Sequence, residues 1–270
     1  MRLDYGTQLS PSPITLSIGN MKKPTLREIS QLSFDKFSFY EFLMKLTPEL
    51  YYTKLKANGG KEKWKSMPDE EKDELKMYDI ILSDDNIKNS YVDLMNFFFV
   101  ENVVFQEGYF ILLNPDVTDY DNLSSENIRG VISQEQFYQV LDLMQQICCI
   151  HSEEENIENM KFKNKLARKL YEQMLKAKKE QESKKIDSNL SLPNIISSLS
   201  NKHPSINYIN IWDLTIFQLL DSFNRIQANT MYEIDSTRVS VWGDEKKTFD
   251  FSLWYRNNYD KKSPQEEPAD

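Results

Sequence analysis

The residues best suited to catalysis or metal binding are scarce in this chain and badly spaced for either. Its 270 residues include two cysteines, two histidines and seven glycines. Cys148 and Cys149 are adjacent, with His151 close by, whereas zinc sites usually separate paired cysteines and need four ligands. The other histidine, His203, lies far along the sequence. A Cys–His nucleophilic pair needs a third group that orients the base, and the sequence marks none. We therefore expect reduced, buried thiols at Cys148 and Cys149.

The acidic residues form clusters that match no ion-binding or catalytic motif. Asp84 and Asp85 stand near Asp93, and the carboxylates of residues 116–121 have a spacing that loosely resembles a calcium loop. That segment lacks the glycine at the sixth position and the glutamate at the twelfth that such a loop uses. The sequence also has no phosphate-binding glycine loop, dinucleotide fingerprint or metalloprotease helix. We therefore expect no catalytic residue, no metal site and no cofactor, and a protein that is not an enzyme.

Charge is distributed unevenly along the chain. The formal net charge is −9, yet residues 161–185 contain ten lysines or arginines and three glutamates. The acidic remainder disfavours nucleic-acid binding, and the basic segment lacks the interleaved aromatics that stack on bases. We expect a solvated helix that contacts an acidic protein surface, with phosphate contact as the alternative. No apolar run approaches the roughly 18 residues of a membrane span, so we expect no membrane partner.

Alternating residues predict a β-strand near the N-terminus. Ile14, Leu16 and Ile18 are separated by polar residues, which is the period-two pattern of a strand. Gly19-Asn20 then predicts a turn. Thr25 and Glu28 have the spacing of a capping box, so a short helix should begin there. The amphipathic run over 37–56 should be split in two by Pro48.

Two apolar runs around Gln106-Glu107-Gly108 predict a β-hairpin near 103–113. Ser133 and Gln136 form a second capping box, which should open another amphipathic helix. Together with the N-terminal strand, these patterns predict a mainly α protein with a small β element, an α+β fold. We find no internal repeat.

Residues 157–186 resemble one long basic helix. Its apolar residues, Phe162, Leu166, Leu170 and Met174, recur every four residues, and such a narrow stripe favours a projecting helix or a coiled-coil-like contact. The sequence thus predicts an α+β N-terminal domain over 1–155 and a basic helix with linker over 156–190. An aromatic-rich helical C-terminal region over 191–260 and a disordered tail over 261–270 should follow.

The aromatic block from Trp212 to Tyr255 has two interpretations. It is either ordinary core or a partly exposed patch that captures a hydrophobic segment of a partner, since aromatics dominate interface energetics. Under the second interpretation, the residues that we expect to contact a partner are Trp212, Phe217, Leu220 and Phe223.

Two stretches of the chain resemble a known group of proteins. They are Asp4-Tyr5-Gly6, Ser12-Pro13-Ile14-Thr15-Leu16-Ser17-Ile18-Gly19 and Lys23-Pro24-Thr25-Leu26 near the start, and Trp212, Thr215-Ile216-Phe217-Gln218-Leu219 and Phe223 near the end. They are similar to the opening and the C-terminal helix of tail assembly chaperones of phages and prophages of Gram-positive bacteria. The resemblance covers about a quarter of the chain, and its motifs are structural rather than catalytic.

This resemblance implies a role in phage tail assembly. Such a chaperone coats the long tape-measure protein, keeps its apolar helices soluble, and helps to recruit tail-tube subunits in the bacterial host cytoplasm. An acidic, mainly helical protein with apolar grooves can hold amphipathic helices in this way. The basic segment and the acidic remainder could also support self-association along the client. The alternatives are a structural component of the virion (tail, connector or baseplate) and an enzyme with an unrecognised site.

Overall fold

A computed structural model describes residues 2–56, 59–117, 124–150, 188–245, 247–257 and 259. The chain separates into two units. The first comprises Met1–Ile150 and Asp213–Phe217, and the second comprises His151–Trp212 and Gln218–Asp270. The predicted basic helix near 157–186, most of its linker and the predicted disordered tail lie outside the described residues. The domain limits expected from the sequence stay a prediction.

Helices dominate the first unit. They are α1 (Tyr5–Leu9), α2 (Leu26–Leu32), α3 (Phe34–Met44), α4 (Pro48–Leu50), a π-helical turn (Tyr51–Leu55), α5 (Gly60–Ser66), α6 (Asp69–Glu74), α7 (Met77–Ser83), α8 (Asp85–Phe98) and α9 (Gln134–Ile147). Both predicted capping boxes are present: Thr25 and Glu28 open α2, and Ser133 and Gln136 open α9. Each pairs orphan N–H groups of the first helical turn with side-chain oxygens. Pro48 occupies the first turn of α4, where its missing N–H costs nothing.

Two small antiparallel sheets complete the first unit. Their strands are β1 (Ile14–Leu16), β2 (Gly19–Met21), β3 (Asn102–Gln106), β4 (Tyr109–Leu113) and β5 (Ile128–Ile132). The first sheet has the order β1-β2 and the second has the order β3-β4-β5. In the second, Phe105 pairs with Phe110 across the β3–β4 turn, which confirms the predicted hairpin. The mainly α fold with a small β element is likewise confirmed.

The turn after β1 lies two residues earlier than the sequence predicted. The strand is present, but the chain reverses at Ser17-Ile18, and Gly19-Asn20 begins β2. Gly19 is needed for close approach instead. A Cβ there would lie 2.5 Å from Leu112 Cδ2 and 3.1 Å from Glu101 Oε2. Gly19 thus allows the first hairpin to pack closely against the rest of the unit.

Glu101 joins the first hairpin to the segment that leads into β3. Its side chain is buried, and its carboxylate accepts hydrogen bonds from the backbone N–H of Asn20 at 2.9 Å and from Asn20 Nδ2 at 2.8 Å. A buried carboxylate needs such donors, because unpaired it would be costly in an apolar setting. Glu101 therefore fixes the position of β2.

Aromatic rings fill the centre of the first unit. Phe137 on α9 lies 5.2 Å from Tyr78, 5.3 Å from Tyr91 and 5.8 Å from Phe110, measured between ring centroids. The hydroxyl of Tyr91 donates to the Leu43 carbonyl at 2.9 Å, so its polar atom is satisfied. Edge-to-face and offset pairs of this kind add to the free energy of burial. This cluster joins α7, α8, α9 and β4.

Residues 213–217 complete the first unit although they come late in the chain. The backbone N–H of Leu26 donates to the Leu214 carbonyl at 2.9 Å, and Thr25 forms an antiparallel bridge with Thr215. Arg27 and Asp213 form an exposed ion pair of 2.7 Å beside this bridge. Exposed pairs contribute little free energy, so the backbone contacts do most of the positioning.

The second unit is helical in its described part. It contains a short 3₁₀ turn (Ser188–Leu190), α10 (Leu192–Lys202) and most of α11 (Ile216–Trp242). In α10, Ile195, Ile196 and Leu199 are buried on one face. Helix α11 begins in the first unit, because Ile216 and Phe217 belong there. With 27 residues it is about 40 Å long at 1.5 Å per residue.

Candidate partner-binding surface

The start of α11 is buried within the first unit. Phe217 is 6% exposed, and its ring meets the ring of Tyr5 edge-on with centroids 6.0 Å apart. Ile216 is buried as well. A side chain this enclosed offers almost no surface to a partner in this conformation.

The other three residues predicted to bind a partner are half-buried. The indole N–H of Trp212 donates to the Tyr208 carbonyl at 3.0 Å, and the Tyr208 hydroxyl lies 2.7 Å from Asn201 Nδ2. Leu220 and Phe223 are about one turn apart on α11, so they share a face. The structure therefore places Leu220 and Phe223 side by side, whereas Phe217 belongs to the first unit. A client contact at these four residues stays a prediction.

The second half of α11 exposes a row of large apolar side chains. Met231, Ile234, Val241 and Trp242 are all exposed, Trp242 by 81%. At 100° per residue these positions fall within about 100° of one another around the helix axis. We call these four residues the apolar stripe. Arg238 lies on the same face between Ile234 and Val241. Exposed apolar residues are ordinary when scattered, but four large ones on one helix face are typical of an interaction surface.

An aromatic turn follows the stripe in sequence. Phe251, Trp254 and Tyr255 are exposed, with Phe251 at 71%. Phe249 connects this turn to α11, because its ring lies 5.4 Å from Tyr232 and 4.6 Å from Phe251. Tyr232 is the residue next to Met231 of the stripe. The aromatic turn and the apolar stripe therefore belong to one stretch of about 25 residues.

Asp244 directs the chain from α11 into the aromatic turn. Its carboxylate accepts hydrogen bonds from the backbone N–H groups of Phe249 at 2.8 Å and Thr248 at 3.0 Å. These bonds stabilise the ionised carboxylate and hold the pKa of Asp244 below its usual value. The bond from Phe249 has the largest effect, and the bond from Thr248 has the next largest. Gly243 supplies the left-handed backbone conformation (φ 76°) that ends the helix. Asp244 therefore holds the backbone in the conformation that brings the ring of Phe249 against Tyr232.

Residues 177–259 match the family model of the YomV second domain. This family is associated with phages and prophages. The match includes α10, α11, the apolar stripe and the aromatic turn, and it ends at Tyr259. No curated protein and no solved structure matches the chain.

The described residues outside this region include both cysteines of the chain. They contain no group of three or more His, Cys, Asp or Glu side chains arranged for a metal ion. Cys148 is buried and unbridged, and burial raises the pKa of its thiol well above the usual value, which disfavours the reactive thiolate. Cys149 is also unbridged but half-buried, and His151 lies outside the described residues.

An open groove of about 320 Å³ lies between the β1–β2 turn and α9. Leu16, Ile18, Val140 and Leu143 form its apolar wall, and glutamine, serine and threonine side chains complete the lining. No acidic, basic or thiol group lines it, so it lacks the acid–base pair that a hydrolytic site needs.

In the described part of the chain, no helix is long and apolar enough to cross a membrane.

The sequence indicated the aromatic block and left open whether it is core or exposed. The four expected residues lie over 212–223, whereas the exposed apolar side chains concentrate over 231–255. The available signal was the spacing of Met231, Ile234, Val241 and Trp242 on a helix whose other positions there are mostly polar. The sequence predicts that these residues share a helix face. It does not predict whether another part of the protein covers that face.

Proposed function

We propose that this protein is a non-enzymatic tail assembly chaperone of a phage, which binds the tape-measure protein and helps to recruit tail-tube subunits. The observation that supports the proposal is the apolar stripe with its aromatic turn, within the region that matches a phage-associated family. The resemblance of the first 26 residues and of the start of α11 to such chaperones points to the same role. The proposed place of action is the bacterial host cytoplasm.

The physical basis is the burial of apolar surface. Large aliphatic and aromatic side chains gain roughly 1.5–3 kcal/mol each when they leave water. Seven of them are exposed between Met231 and Tyr255. An amphipathic helix presents apolar side chains at positions i, i+3, i+4 and i+7, a row that can pack along a complementary stripe. A client of long amphipathic helices, such as a tape-measure protein, fits this surface and would be kept soluble by the acidic chain around it.

The first experiment is an affinity capture from cells that produce the phage, with mass spectrometry of the captured proteins and of purified particles. Capture of a very long helical protein and the tube subunit, with this chain missing from particles, is the expected result. Presence of the chain in particles at a fixed copy number would instead support a structural component of the virion. Capture of neither protein would contradict both assignments.

A pair of α11 variants tests the surface itself. The variant I234D/W242D places two charges in the apolar stripe and should reduce capture of the client at least tenfold. The control N229D/S240D adds the same two charges on exposed positions of the opposite helix face and should leave capture unchanged. Equal loss in both variants would mean that added negative charge, rather than the stripe, controls binding.

A further inference from the structure

The outer edge of β2 is paired with the chain that follows α8. The backbone N–H of Asn20 donates to the Glu101 carboxylate at 2.9 Å, and the Asn20 carbonyl accepts from the N–H of Val100 at 2.9 Å. Both main-chain groups of Asn20 thus point away from β1. Facing pairs in an antiparallel ladder alternate between bonded and non-bonded, so Asn20 and its partner Thr15 form a non-bonded pair.

The outer edge of β1 is open for the same reason. Since Thr15 does not bond to β2 through its main chain, its N–H and C=O point outward, on the side away from β2. Within the residues that the structure describes, neither group has a hydrogen-bond partner, and the Thr15 hydroxyl donates to Asn20 Oδ1 at 3.1 Å. An unpaired donor and acceptor at an exposed strand edge form a template for a further strand.

This open edge forms one wall of the groove between the first hairpin and α9. Thr15 and Leu16 both line the groove, although neighbouring side chains of a strand point to opposite faces, so the groove runs along the edge of β1. The other wall is a single face of α9, because its lining residues are three or four positions apart from one to the next or share one turn. A strand that joined β1 would therefore lie between β1 and α9.

The edge of β1 is held in a fixed position. A Cβ on Gly130 would lie 2.1 Å from the Ile18 carbonyl oxygen, so the turn after β1 rests directly on the backbone of β5. On the other side of the hairpin, Glu101 fixes β2 through Asn20. A site that is already ordered loses little conformational entropy when it binds. The groove is therefore preorganised for a ligand.

The groove is lined by apolar and uncharged polar side chains alone. Leu16 and Ile18 on one wall and Val140 and Leu143 on the other suit an aliphatic side chain. A charged side chain would lose its water there without gaining a counter-ion. Gln136 Oε1 is bonded within the capping box of α9, which leaves the amide N–H groups of Gln136 as donors. The lining therefore favours a ligand that is uncharged, partly aliphatic and rich in hydrogen-bond acceptors.

The main-chain groups of Thr15 decide the class of ligand. An extended peptide presents a C=O and an N–H on one side, which match the outward N–H and C=O of Thr15. A helix bonds its own main-chain groups internally and an aliphatic small molecule has none, so both would cover the groups of Thr15 without pairing them, which is costly. A second copy of this chain would have to insert its own hairpin, whereas a volume of about 320 Å³ suits one strand.

We propose that the groove between β1 and α9 binds an extended, uncharged segment of a partner protein, which pairs with the edge of β1 and places an aliphatic side chain between Leu16 and Val140. The main chain of this segment bonds to the N–H and C=O of Thr15, and the amide of Gln136 donates to a further carbonyl. The site uses none of the residues of the apolar stripe and does not depend on the chaperone role. It adds a strand-type mode of recognition to the helix contacts proposed for α11.

Selection from a library of random peptides of about ten residues on the immobilised full chain supplies the probe. The enriched peptides should alternate aliphatic and polar residues without charge in their centre, and each is then synthesised and measured in solution. Thr15→Pro removes the N–H from the open edge, where proline costs no ladder hydrogen bond, and should weaken binding about tenfold. Thr15→Val loses the same hydroxyl but retains the N–H and should bind like the wild type.

A second pair of variants tests the groove from the side of α9. Gln139 is exposed and lines the groove. Gln139→Trp places a large ring in the groove without changing the main chain and should abolish binding of the same peptides. Gln139→Ala keeps the groove open and should retain binding. Circular dichroism verifies that all four variants are folded.

The outcomes separate the occupants of the groove. Peptides that bind Thr15→Pro as tightly as Thr15→Val, or no enrichment over a support without the protein, overturn the proposal. Helical peptides whose binding is lost in I234D/W242D but not in Gln139→Trp would assign capture to the apolar stripe and also overturn it. A dimer of the free chain in sedimentation velocity that is lost in Thr15→Pro would assign the open edge to a second copy instead, which likewise overturns it.

Discussion

At the scale of single residues, Phe217 and Phe251 show that the same side chain has opposite roles along one aromatic block. Phe217 is enclosed against Tyr5, whereas Phe251 is 71% exposed. We expect Phe217→Ala to lower the free energy of unfolding of the first unit by about 3–5 kcal/mol, because it leaves a cavity. The matched substitution Phe251→Ala should change it by less than about 0.5 kcal/mol. Denaturant unfolding followed by circular dichroism measures both.

Client capture by the same two variants distinguishes core from surface. Phe251→Ala should weaken capture while the protein stays fully folded, and Phe217→Ala should weaken it only at temperatures where the first unit unfolds. If Phe217→Ala abolished capture in a folded protein, Phe217 would be a contact residue after all, as the sequence suggested.

At the scale of elements, Glu101 decides whether the first hairpin stays in place. We expect Glu101→Ala to cost about 1–3 kcal/mol, because the two donors of Asn20 lose their buried acceptor. Glu101→Gln retains one acceptor oxygen and should cost less. Hydrogen exchange of residues 14–21 measures the effect. Equal protection in the wild type and in Glu101→Ala would mean that packing around Gly19, rather than this carboxylate, positions β2.

The aromatic turn depends on a second carboxylate, that of Asp244. Its pKa is lowered, so its bonds are fully present above the usual value of 3.8 and are lost as the pH falls through the lower folded value. We expect the amide chemical shifts of Thr248 and Phe249 to titrate together below pH 3.8. Asp244→Ala should release the turn at every pH and leave the helical content of α11 unchanged. Independent titration of the two amides would contradict a shared acceptor.

The elements also show what the sequence can and cannot reveal. Capping boxes at Thr25 and Ser133 and the β3–β4 hairpin were predictable, because each depends on residues within a few positions of one another. The role of Gly19 was not predictable, because it depends on close packing against Leu112, which lies ninety-three positions later in the chain. Exposure of the apolar stripe was hidden for the same reason. Periodicity identifies which residues share a helix face, but coverage of that face is decided by distant parts of the chain.

At the scale of the whole molecule, net charge and exposed apolar surface have opposite effects on association between copies of the protein. The formal charge of −9 falls to zero near pH 5.0, where repulsion between copies vanishes. We expect light scattering to rise as the pH is lowered from 7 towards 5, because the apolar stripe and the aromatic turn can then associate. I234D/W242D should scatter less than N229D/S240D, which has the same charge. Equal scattering by both variants would assign the association to charge loss alone.

The pairing of residues 25–26 with 214–215 has a consequence for synthesis on the ribosome. When residue 150 has been translated, the first unit still lacks the strand partner of Thr25 and the ring that packs on Tyr5. At bacterial elongation rates of about 5–20 residues per second, translation of residues 151–212 takes roughly 3–12 s. During that interval the nascent unit has an open apolar edge. The first unit can therefore be completed only after residues 213–217 have been translated. A premature stop before residue 213 leaves the unit permanently incomplete.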